Sequence, residues 1–129
     1  MTSEDRELLL KDLGGRLPYG VKILDIPANV VGKLFLISTT DTVQYETADD
    51  SGVQTLYNIK PYLRPMSSMT EEEQRTLDSM CNGVEMVSRL PGLKMFDKAF
   101  NWLKENHFDY SGLIEKGLAI DATELNIYC

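Results

Sequence analysis

Residues 59–73 read IKPYLRPMSSMTEEE, and the fold turns on how this stretch is read. Pro61 and Pro65 have a fixed φ and no N–H to give to a sheet ladder. Each also pushes the residue before it, Lys60 and Arg64, toward extended backbone. Ser67, Ser68 and Thr70 offer side-chain oxygens to free backbone donors, and Thr70 with Glu73 fits a capping box. Residues 59–70 are therefore expected to form an extended strap that leaves a sheet and ends at a helix start.

Working back from the strap, residues 53–58 alternate as a strand, with Val53, Thr55 and Tyr57 on one side. The polar loop ADDSG (48–52) separates them from a second alternating run, 42–47, whose Val43 and Tyr45 share a face. Residues 30–39, VVGKLFLIST, are apolar on both faces and read as a central strand, with Gly32 marking a bulge or bend. Residues 21–26 form the first strand, broken by Pro27-Ala28-Asn29. Before it, Thr2 or Ser3 caps a helix whose apolar face is Leu9, Leu10 and Leu13, and Gly14-Gly15 is expected to end it.

Working forward, Leu77, Met80, Cys81, Val84 and Val87 recur at helical spacing, with Gly83 weakening the run. Leu90-Pro91-Gly92 is read as a break. A helix over 94–106 places Phe96, Ala99, Phe100 and Leu103 on one face. Asp109 or Ser111 caps a short last helix that Gly117 stops, and Leu118 and Ile120 fold back on the body. The expected fold is α+β. It has a leading helix, a four-stranded antiparallel meander curled into an SH3-like small barrel, then two to three helices packed on it. Residues 1–129 form a single domain: helix plus meander over 1–58, strap over 59–70, helical part over 71–120, loose tail over 121–129.

Three segments, 17–21 (LPYGV), 59–73, and 108–119 (FDYSGLIEKGLA) with Trp102 upstream, together resemble small hypothetical proteins of gut Bacteroides-type bacteria and their phages or prophages. The resemblance spans most of the chain. It implies a mobile-element setting but no activity and no catalytic residues.

Composition narrows the function classes. The 129 residues are 43% hydrophobic and 26% charged, with a net charge of −7. Acidic residues divide nine and eleven about Pro61, basic ones six and seven. No basic stripe stands out, so direct nucleic-acid binding is not expected. The even spread also disfavours an acidic mimic of nucleic acid that blocks a host DNA-binding protein. Cys81 and Cys129 read as one buried and one terminal thiol, which fits a reducing cytoplasm. The first fifteen residues read as neither signal peptide nor membrane span.

No cofactor or metal is expected, because one histidine and two distant cysteines make no zinc site. The lone histidine stands in His107-Phe108-Asp109-Tyr110. One reading makes it a general base oriented by Asp109 in a small enzyme, with Cys81, Ser67 or Ser68 as nucleophile. The other makes it a helix-end histidine with Asp109 as the next cap. No nucleophile motif supports the first. Tyr19, Tyr57, Tyr62, Arg64, Trp102 and His107 are the candidate binding residues, being of types enriched in interaction hot spots. The expected function is a non-enzymatic, phage- or prophage-associated, cytoplasmic module that binds a protein partner or itself, without nucleic acid or membrane.

Overall fold

The computed structural model describes residues 1–82 and 89–128, with backbone alone for 81–96. Helix α1 (Ser3–Arg16) begins at a reciprocal cap in which Thr2 Oγ1 accepts from the Asp5 N–H and the Asp5 carboxylate accepts from the Thr2 N–H. Gly14 and Gly15 do not end it. The helix runs through them to Arg16, whose side chain is anchored on distant backbone, and a 3-10 turn (Leu17–Tyr19) follows. The left-handed stop is Gly20, at φ 71°.

Strands β1 (Lys22–Asp25), β2 (Val30–Ile37), β3 (Thr42–Glu46) and β4 (Ser51–Thr55) pair in succession, all antiparallel. The four-stranded meander and the SH3-like barrel expected from the sequence are nonetheless not what forms. Strand β5 (Ile59–Pro65) pairs antiparallel with β1, and β6 (Phe108–Asp109) and β7 (Ile120–Asp121) pair parallel with β5. The result is one open, mixed, seven-stranded sheet in the order β4-β3-β2-β1-β5-β6, with β7 also on β5. Because β5 takes the second edge of β1, β4 has no edge on which to close a barrel.

Half of the expected strap is thus a strand. The prolines are tolerated because of register. Antiparallel pairs alternate between bonded and non-bonded. The Ile26 N–H donates to the Asn58 carbonyl at 2.9 Å. Counting on from that bonded pair, Pro61 opposite Ile23 falls at a non-bonded position and owes β1 no N–H.

Leu9 and Leu13 of α1 pack onto the inner sheet face, where Val21, Ile23, Leu34, Val43, Leu56, Ile59 and Leu63 form the core with Leu113 and Leu118. Gly32 is not a bulge. A Cβ there would lie 2.3 Å from the Tyr45 ring, and one at Gly52 equally close to its other end. The bulge lies between Leu34 and Leu36, and it turns both Phe35 and Leu36 outward.

Helix α2 (Glu71–Asn82) starts at the capping box read from sequence. The Thr70 N–H donates to Glu73 at 3.0 Å and the Glu73 N–H to Thr70 Oγ1 at 3.1 Å. Helix α3 (Arg89–Glu105) contains Leu90, Pro91 and Gly92, so no break occurs there. A proline in a first turn gives up an N–H that has no helical partner anyway. Ala99 and Leu103 are buried while Phe100 is exposed and meets Tyr110 edge-on. The expectations placed on Gly83, Val84 and Val87, and on the side chains of Cys81, Phe96 and Cys129, lie outside the described residues. After β6 the chain forms turns over residues 112–117 instead of a helix, with Gly117 at φ 74°. Among the described residues, no helix is long and apolar enough to cross a membrane.

Candidate functional site

His107 ends α3 in the left-handed region, at φ 63°. Its backbone is pinned, the N–H donating to the Lys104 carbonyl and the C=O accepting from the Arg64 N–H. The imidazole stacks on the Tyr128 ring with centroids 3.6 Å apart and planes 9° off parallel. Its Nδ1 is buried without a hydrogen-bond partner. Burial, then the nearby charges of Arg16, Arg64 and Lys22, lower its pKa to about 4. The ring is neutral at neutral pH and a weak base.

Tyr128 is a residue that sequence reasoning missed. The expected loose tail is tied to the sheet. By the alternation that spares Pro61, Lys22 and Tyr62 would be the next bonded pair between β1 and β5. The Tyr128 hydroxyl stands there instead, accepting from the Lys22 N–H at 2.9 Å and donating to the Tyr62 carbonyl at 2.6 Å. Lys22 Nζ donates to the Ile127 carbonyl, and the Ala122 N–H to the Leu63 carbonyl. Burial pushes the Tyr128 phenol up to about 12. The only hint in the sequence was an isolated Ile127-Tyr128 pair at the end of a polar segment.

Arg64 faces the same region. Its guanidinium binds Glu73 through both carboxylate oxygens, at 2.7 and 2.8 Å, and lies 4.2 Å from the Phe108 ring centroid. Trp102 stacks on Phe108, with centroids 5.7 Å apart. The Arg64 hydrogen bonds hold Glu73 down to about 2. Arg64, Ser68, Glu105, Asn106, His107 and Tyr128 line part of a pocket of about 400 Å³. The Ser68 hydroxyl is committed to the Pro65 carbonyl at 2.7 Å.

Of the six binding candidates, the fold brings four together. Arg64, Trp102 and His107 surround Phe108, and buried Tyr62 joins them through its carbonyl and Tyr128. Tyr19 lines a different groove with Lys33 and Phe35, and exposed Tyr57 a third with Met1 and Lys116. The His107–Asp109 pairing does not form. Asp109 is buried and accepts the N–H groups of Leu113 and Ile114 at 2.9 and 3.0 Å, capping the next turn. Among the described residues, no three acidic, histidine or cysteine side chains gather as a metal site would require. Comparison with protein families, curated proteins and solved structures finds no match.

Proposed function

We propose that this chain is a non-enzymatic protein-interaction module, phage- or prophage-associated and cytoplasmic, whose contact surface is the outer face of the sheet. One observation supports this reading above others: an apolar strip set in cross-strand register on that face. Leu36, Gln44 and Val53 stand in one row across three strands. Leu36 is 40% exposed and Val53 61%, with Phe35 beside them at 41% and Val31 at 38%. The β2 bulge is what puts two consecutive apolar residues outward, since strict alternation would have buried Leu36. Contiguous exposed apolar surface marks contact sites more often than chance.

The test is capture of a partner from bacterial lysate, with sedimentation of the purified chain to detect self-association. Phe35→Glu with Val53→Glu is expected to abolish whichever association the native chain shows while leaving its melting transition in place. A native chain that sediments as a monomer and captures nothing, or a double variant that associates as before, overturns the proposal.

A further inference from the structure

We propose that residues 122–128 are a releasable latch, in which the Tyr128 side chain closes the gap where β1 and β5 part and His107 is the trigger that opens it. The closure is a substitution of one hydrogen bond by two. A phenol supplies the acceptor for Lys22 and the donor for Tyr62 that a direct ladder bond would have joined. Between the anchors at Ala122 and Ile127-Tyr128, residues 123–126 are exposed, and Asn126 sits at φ 50°. A tether of that kind opens locally without disturbing the core.

The trigger follows from what surrounds the imidazole. Arg16 approaches from α1, Lys22 from β1 and Arg64 from β5; Glu105 lies on α3, and the Tyr128 phenol on the tail. Asp12 and Glu73 partly neutralise the two arginines. A proton added to the closed ring meets this net positive surround, and at Nδ1 it finds no acceptor. With the tail released, water reaches the ring. The closed-state pKa of about 4 lies below the ordinary 6.5, so the closed form binds the proton less well. Closure is therefore complete above pH 6.5, weakens as pH falls toward 4, and loses nothing further below that. Asp25, Asp41, Asp121 and Glu73 are all held below the usual carboxylate range, so the contacts they make persist while the latch loosens. Release uncovers a backbone donor and acceptor at the rim of the pocket.

Amide exchange on the whole chain tests this. From pH 7 to pH 5, after correction for intrinsic chemistry, the Lys22 amide is expected to lose protection by about tenfold or more. The Leu34 amide, bonded to the Val21 carbonyl, should hold. In His107→Asn, a side chain that tolerates left-handed backbone and does not titrate, the pH dependence should vanish. In Tyr128→Ala the His107 midpoint, read by NMR, should rise toward 6.5. Unchanged Lys22 protection, parallel loss at Leu34, pH dependence surviving in His107→Asn, or an unmoved His107 midpoint in Tyr128→Ala would each overturn the proposal.

Discussion

At Gly32 and Gly52 the absent side chains matter more than any contact. The Tyr45 ring lies across both backbones, and its hydroxyl reaches Asp25 at 2.6 Å. Asp25 is buried, which alone would raise its pKa; hydrogen bonds from Tyr45, Gln54 and the Ala28 N–H outweigh that and hold it low. Bonding to Asp25, with burial, pushes Tyr45 up to about 12. A methyl at Gly32 has to displace a ring that is fixed at its far end. Gly32→Ala is therefore expected to destabilise by about 1–3 kcal/mol, as overpacking usually does. Gly14, inside α1, has open space around its missing Cβ. Gly14→Ala is expected to stabilise by about 0.5–1 kcal/mol through helix propensity. Urea midpoints of the two variants should move in opposite directions; a shift of the same sign in both would refute the distinction. Nothing in the sequence separates these glycines, because the difference lies in a ring on another strand.

Elements show a sharper division between what is local and what is not. The caps at Thr2–Asp5 and Thr70–Glu73 were legible because each closes within four residues. The strand-forming runs were legible for the same reason. Whether Pro61 interrupts a ladder depends on its register against β1, and whether β4 closes a barrel depends on which strand reaches β1 first. Both are decided by partners over thirty residues away. Asp109 shows a local signal read in the wrong direction: its carboxylate serves the turn after it, and the neighbouring histidine does not use it. Glu73 ties the two regimes together, capping α2 locally and binding Arg64 across the hinge. Its pKa of about 2 lies below the ordinary 4.5, so its contribution is complete above pH 4.5 and is lost as pH falls toward 2. Glu73→Gln should flatten the stability profile over that window, measured by denaturant titration at stepped pH. At the free edge of the sheet, alternation turns the N–H groups of Ser51, Val53 and Thr55 outward. Asp50 accepts the first and Gln54 the third, so the edge is blunted by its own side chains. Asp50→Ala removes one of these and a charge. Its expected effect is self-association at lower concentration than the native chain, read by sedimentation velocity.

The whole molecule is held across its longest sequence separation by a buried cation. Arg16 is 0% exposed; it pairs with Asp12 one turn earlier on α1 and donates to the Phe108 carbonyl at 2.6 Å. Ser111 donates to the same Asp12 at 2.7 Å, and the guanidinium lies 4.5 Å from the Tyr110 ring centroid. The first helix and the 108–111 segment, some ninety residues apart, thus share one ionic cluster beside the His107 region. Burying two charges carries a desolvation penalty that their attraction only roughly repays, but removing one partner leaves the other stranded. Arg16→Met is accordingly expected to destabilise by about 3–5 kcal/mol. Asp12→Leu with Arg16→Met removes both charges and leaves only the Phe108 carbonyl and the Ser111 hydroxyl to find new partners. The double variant should therefore be more stable than either single one, with a coupling of about 1–3 kcal/mol in a denaturant-based double-mutant cycle. Strict additivity of the two losses would mean that the pair does not act as a unit, and that α1 is held to the C-terminal segment by apolar packing alone.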